Sequence, residues 1–269
     1  MTLLAHQIEI DATAEGAEYL RRCIGARRFA YNKLLEHFGQ RGVKWSKAAG
    51  YAYFLKHVRQ PWMDELTSRA PRNAIDDLHN AFQHFFRRVK AGEKKKGFPT
   101  FHKKGVNDSF ALREPAKFDV RGRMLRLEKA PGLFRMRQKL RYFGKTKSVT
   151  ISERAGKFFA SILVEVETEF LNTGAGTVGV DFGVRKLAAL STGEFVPANQ
   201  KLKANLRRLK RRSRNLSRKK QRGSNRRARA KLALAKLHKR IADQRMAVLH
   251  EVSDMLTRRF GTIVIEDLG

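Results

Sequence analysis

From Glu15 to Phe38 the apolar residues Leu20, Ile24, Phe29, Leu34, Leu35 and Phe38 recur at helical spacings, which predicts a helix with one buried face and a kink at Gly25. The preceding Asp11-Ala-Thr-Ala-Glu-Gly reads as a capped entry to it. Residues 51–58 and 73–89 are also predicted helical, the second with Ile75, Leu78, Phe82, Phe85, Phe86 and Val89 on one stripe. Pro61 and Pro71 are expected to break the chain between them. A small helical bundle over residues 12–90 follows. Ahead of it, Leu3 to Ile10 is apolar enough for a strand, although it alternates poorly.

At Ala91 the pattern changes to glycines, Pro99 and clustered lysines, the composition of a loop. Beyond it the runs 109–112, 117–120, 124–127, 149–152 and 158–166 are short, rich in strand-forming residues and separated by turns. They predict a compact β barrel or sheet over residues 1–11 and 91–170, with the bundle inserted after the first strand. Residues 171–176, Leu-Asn-Thr-Gly-Ala-Gly, read as a linker. In the last third, 177–182, 186–190 and 195–197 predict a three-stranded meander. Two helices follow within 199–260, the first holding Leu202, Leu206, Leu209 and Leu216, the second Leu234, Leu237, Ile241, Val248, Val252 and Met255. A strand at Thr262 to Glu266 closes the set. Three strands, helices, and a strand returning beside the first make the beginning of an RNase H-like α/β unit over 177–269. The fold class expected is thus α/β plus α+β, in several domains.

That topology would bring together two carboxylates 85 residues apart. Asp181 follows the apolar run Val-Gly-Val, and Glu266 follows Ile-Val-Ile. Side chains alternate along a strand, so Glu266 shares a face with Thr262 and Val264, while Asp267 takes the other face. Carboxylates fixed at strand ends suit Mg²⁺ and phosphodiester hydrolysis. Against this, Asp and Glu at a strand end are commonly no more than solvated.

Charge changes the picture most. The net charge is +33, and a body so basic repels itself unless a polyanion neutralises it. Residues 201–240 hold 19 Lys or Arg, and no acidic residue falls between Glu194 and Asp243, so these helices forgo the opposite-charge pairs that support an ordinary solvated helix. Candidate phosphate contacts are Arg207, Arg208, Arg211, Arg212, Arg214, Lys219, Lys220, Arg226, Arg227 and Arg229. Anionic membrane is the competing partner, but no apolar run of about 18 residues, secretory leader or lipidation motif is found. A cytoplasmic, nucleoid-associated protein is expected. Cys23 is the only cysteine, which excludes an intramolecular disulfide or a Cys-rich zinc site among these residues. Aromatics interleaved with cations, at Arg27-Arg28-Phe29-Ala30-Tyr31-Asn32-Lys33, Phe85-Phe86-Arg87-Arg88 and Phe98-Pro-Thr-Phe101-His-Lys103-Lys104, suit stacking on unpaired bases. Most at helical spacing are better read as core, which leaves Tyr31 and Phe101 as the stacking candidates, Asn32, Lys103 and Lys104 as further nucleic-acid contacts, and His102 as a contact to the phosphate backbone.

Several stretches, in order, resemble one family. Arg28-Phe-Ala-Tyr-Asn32, Gly97-Phe-Pro-Thr-Phe-His-Lys-Lys104, Gly179-Val-Asp-Phe-Gly-Val-Arg-Lys186, Asn215-Leu-Ser-Arg-Lys-Lys220, 236–245 and Val264-Ile-Glu-Asp-Leu268 are similar to the TnpB (OrfB) proteins of insertion-sequence transposons, relatives of the type V CRISPR effectors. The resemblance implies a β-barrel wedge domain, an inserted helical recognition domain and a RuvC-like nuclease domain. It also implies a guide RNA from the transposon end and a DNA target chosen by base pairing beside a short motif. Asp181 and Glu266 match the first two RuvC carboxylates, with Mg²⁺ between them. The family's four-cysteine zinc ribbon and third catalytic Asp have no counterpart in these 269 residues, so no zinc and impaired cleavage are expected, in a chain shortened at its C-terminus. The alternative is a nuclease-inactive, RNA-guided DNA-binding repressor or regulator of transposition. Oligomeric state is not legible.

Overall fold

Strand β1 (Thr2–Asp11) shows why its alternation is hard to read. Its inward face carries His6, Ile8 and Ile10, so a histidine stands where an apolar residue would have completed the pattern. His6 Nδ1 accepts a hydrogen bond from the Arg141 amide at 3.3 Å, and burial, then the Arg141 charge, lowers its pKa.

The computed structural model describes residues 1–167, 174–183, 186–197, 200–221 and 223–266. It is a mixed α/β structure that divides into two units, residues 1–168 and 169–269. In the first, β1 lies in a seven-stranded antiparallel sheet with β2 (Ser109–Leu112), β3 (Phe118–Arg121), β4 (Met124–Leu127), β5 (Phe134–Met136), β6 (Lys145–Arg154) and β7 (Lys157–Val166). The order is β2-β6-β7-β1-β5-β4-β3. Phe110 and Leu112 from one edge strand and Phe118 from the other belong to one buried cluster, so the sheet curls round a single core and nearly closes. Strand β5, only three residues long, is the one missed by pattern reading.

Helix α1 (Ala14–Phe38) starts at Thr13, whose hydroxyl accepts the Gly16 amide at 3.1 Å. It runs uninterrupted through Gly25. Its first half, with Tyr19, Leu20, Cys23 and Ile24, packs into the sheet core. Its second half, with Tyr31, Leu34, Leu35 and Phe38, forms a second core with Phe54, Val58, Ile75, Leu78 and Phe82. These come from α2 (Lys47–Tyr53) with the π-helical turn that continues it to Val58, and from α3 (Arg69–Lys90). Pro61 opens a short 3-10 turn. Pro71 does not break the chain as expected; it sits in the first turn of α3, where no intrahelical N–H is needed. Full burial of Leu20 and Leu34 contributes roughly 1.5–3 kcal/mol each.

The second unit holds β8 (Thr177–Phe182), β9 (Lys186–Leu190), β10 (Phe195–Pro197), α4 (Gln200–Ser217), α5 (Asn225–Arg259) and β11 (Thr262–Ile265). The sheet order is β10-β9-β8-β11, antiparallel except that β11 runs parallel to β8. Helix α5 is 35 residues long, about 50 Å. Its C-terminal half puts Val252 and Leu256 against Val178, Val180, Ala188 and Leu190. Its middle meets α4, where Asn205 donates to Gln244 at 2.7 Å. Of the expected linker, residues 171–173 lie outside the described residues.

Candidate functional site

The alternation of β8 is decided by α5. Val178 and Val180 are buried against the helix, which leaves Thr177, Gly179 and Asp181 on the opposite face. The parallel register sets Val178 beside Ile263 and Val180 beside Ile265, and Ile263 packs on the α5 side. Thr262, Val264 and Glu266 therefore take the face of Asp181. Asp181 and Glu266 occupy the next position on each strand after the last paired residues, Val180 and Ile265, and both are exposed. Asp267 lies outside the described residues. Among the described residues no group of three or more metal-ligating side chains is found. Two carboxylates nonetheless match the donor set of Mg²⁺, which keeps several waters and takes one or two carboxylates plus substrate phosphate oxygens.

On α4 the basic residues repeat at helical spacing. Arg207, Lys210, Arg211, Arg214, Asn215, Arg218 and Lys219 line a groove of about 600 Å³. Lys210 and Arg218 were not among the sequence candidates, though their three- and four-residue spacing from Arg207, Arg211 and Arg214 carried the signal. Arg208, Arg212, Lys220, Arg226 and Arg229 are exposed outside that groove. Arg227 is used differently: half-buried, it donates to the Leu216 and Lys219 carbonyls. It thereby caps the C-terminal end of α4, where carbonyls lack intrahelical partners.

In the first unit the two motifs rich in aromatics and cations are locked to each other. Asn32 donates to the His102 carbonyl at 3.1 Å and accepts the His102 amide at 2.8 Å, acting as a stand-in for a paired strand. Tyr31 lies flat on His102, ring centroids 3.6 Å apart and planes 3° from parallel. The expectation that Tyr31 stacks on a base is corrected here, because it is 3% exposed and its ring face is taken. Asn32 likewise spends its amide on the loop backbone. His102 is packed rather than offered to phosphate, and burial, then the Arg27 charge, lowers its pKa. Arg27 pairs with Asp77 at 2.5 Å and donates to Ser109, and Arg28 pairs with Asp108 at 3.2 Å. Phe101, Lys103 and Lys104 remain exposed, and Phe101 borders a cavity of about 400 Å³ with Arg28, Phe29, Asn32 and Lys33. Cys23 is buried, and that burial pushes its thiol up to about 12.

Residues 161–269 match the IS605 OrfB family, described as a probable transposase, and residues 1–40 match that family's helix-turn-helix domain. InsQ of Escherichia coli K12, provisionally named an RNA-guided DNA endonuclease, is 34% identical over 258 residues, 93% of this chain and 62% of InsQ. A protein of Streptomyces pristinaespiralis with the same provisional name is 31% identical over 95% of this chain and 64% of its own length. The chain belongs to the OrfB (TnpB) family. A third OrfB relative, from Mycobacterium tuberculosis H37Rv and named in the same way, is 28% identical over 98% of this chain and 65% of its own length. The chain thus spans a little under two thirds of the length of the OrfB relatives it matches. The residues matched as helix-turn-helix form β1, the single helix α1 and the turn after it. Among the described residues no helix is long and apolar enough to cross a membrane.

Proposed function

We propose that this chain serves RNA-guided DNA cleavage of the TnpB type, binding a guide RNA and its target DNA in the cytoplasm at the nucleoid. The observation that carries the reading is the placement of Asp181 and Glu266 at neighbouring ends of parallel β8 and β11, on the face away from α5. A strand order of β10-β9-β8-β11 with a helical crossover into β11 is what an RNase H-like, RuvC-type domain requires of its first four strands. In this reading residues 177–269 belong to that nuclease domain, 1–11 and 91–170 form the wedge barrel, and 12–90 the recognition bundle. Asp181 and Glu266 would hold Mg²⁺, which supplies Lewis-acid polarisation of the scissile phosphate and a nucleophilic water at neutral pH. The α4 groove supplies fixed positive charge along a phosphate backbone, and Arg208, Arg212, Lys220, Arg226 and Arg229 add to the surrounding potential. Phe101, Lys103 and Lys104 offer a second contact in the first unit. Sequence choice would reside in base pairing, with the protein reading backbone and shape.

The test is to co-express the chain with RNA from its own genomic flank and assay the purified complex on matched and mismatched duplexes with Mg²⁺. Weak cleavage of the matched duplex, lost in Asp181→Ala and Glu266→Ala while binding persists, is the expected result. Guide-dependent binding without cleavage would replace the nuclease by an RNA-guided DNA-binding repressor or regulator of transposition. Absence of guide-dependent binding would overturn both.

A further inference from the structure

We propose that the C-terminal end of α3 and the turn after it form a stacking platform for unpaired nucleotides, distinct from the α4 groove. Phe86 is 54% exposed and Phe98 47%, with Val89 open beside them on α3. A single exposed apolar residue needs no explanation, but a contiguous aromatic patch does. The rings are held in place from below. Phe82, 3% exposed in the bundle core, meets Phe98 edge-on at 5.9 Å and Phe86 nearly parallel at 6.1 Å, and Phe85 meets Phe98 edge-on at 5.2 Å. Phe98 is returned to the helix by Gly97, whose φ of +62° suits glycine, and a Cβ there would come within 2.6 Å of the Arg88 guanidinium. The faces left open are therefore presented by a fixed backbone.

The neighbouring charge decides the occupant. Arg87, next to Phe86 on α3, and the consecutive Lys94, Lys95 and Lys96, just ahead of Phe98 in the chain, are exposed, and Arg88 faces Glu93 at 3.8 Å. Flat apolar faces flanked in the chain by cations complement a partner that carries both π surfaces and negative charge, which is a single-stranded nucleic acid. Bases in a duplex are already stacked and cannot lie on these rings, so the platform distinguishes unpaired from paired strands. The inference rests on the nucleic-acid reading above, and duplex binding through α4 tests that reading separately.

The experiment compares the full chain with Phe86→Ala and Phe86→Trp, titrating labelled oligothymidylate and a labelled duplex of equal length. Phe86→Ala is expected to weaken oligothymidylate binding about tenfold and leave the duplex affinity unchanged. Phe86→Trp is expected to retain binding and to show fluorescence quenching by oligothymidylate beyond that of the wild-type tryptophans. Equal weakening for both ligands, no weakening, or an unquenched tryptophan would overturn the platform. So would self-association lost in Phe86→Ala with oligothymidylate affinity intact, since that would assign the patch to a second copy. Failure of the wild type to bind the duplex while oligothymidylate responds as expected would instead count against the α4 reading alone.

Discussion

The paired arginines of residues 1–168 and those lining the α4 groove are the same side chain put to opposite uses. In the first unit Arg27 meets Asp77, Arg28 meets Asp108, Arg21 meets Glu153 and Arg137 meets Asp11. These ion pairs join segments far apart in sequence. In the hairpin no acidic residue is available from 195 to 242, and the flanking Glu194 and Asp243 are engaged by Arg259 and Lys239. Charge that is matched internally specifies a fold; in the proposed function, the charge along the groove meets a polyanion. A basic motif therefore says little until the nearest carboxylates are located.

Breaking the matched side should cost stability. Arg27→Ala strands Asp77 in a site where both side chains are about one-fifth exposed. A loss of about 3 kcal/mol is expected, seen as a fall in Tm on the order of 10 °C for a unit of this size; an unchanged Tm would show the pair to be incidental. Asn32→Ala removes both bonds to the His102 backbone and should cost about 2 kcal/mol. It should also raise amide exchange across 97–104, and exchange confined to its wild-type rate would count against the anchoring role.

A subtler break comes from acid. His102 is held below the usual histidine value of 6.5, by burial first and then by Arg27, so the folded state prefers it neutral. That contribution is complete above 6.5 and is lost as pH falls through the lowered folded value. His6 shifts the same way. Tm measured between about pH 7.5 and about pH 5 should therefore fall, and fall less in His102→Gln; equal slopes would remove His102 from the account. The smallest effect on stability belongs to the unmatched side. Replacing Arg207, Arg211 and Arg214 together by Gln should leave Tm unchanged while lowering the salt dependence of nucleic-acid affinity by about 2 to 3 in the log–log slope. A drop in Tm with an unaltered slope would reverse the roles assigned to the two regions.

How legible these roles were from sequence depended on whether they were local. Strand β2 and strand β4 fall where their patterns predict them, as do the meander β8 to β10 and the two long helices, because period and turn residues are encoded nearby. Strand β5 was missed although β10, equally short, was read from the turn before it, and the buried His6 hid the inner face of β1. Asp181 and Glu266 stood out because each ends an apolar run, and a parallel pairing then sets their strands side by side. The use of Tyr31 was not legible. Beside Arg27 and Lys33 it looks like a base-stacking residue, and only the loop folding back from 70 residues away supplies the imidazole that covers it. Arg227 misled for the same reason, since capping a neighbouring helix and binding a phosphate ask for the same guanidinium.

Helix α1 gives half its length to the sheet core and half to the bundle core. Neither core can be exposed without unseating a rod that the other also holds, so their unfolding is coupled through shared backbone rather than through an interface. Calorimetry of residues 1–168 within the full chain should accordingly show one melting event for sheet and helices together, the helices of residues 14–90 sharing their cooperativity with the sheet that α1 enters.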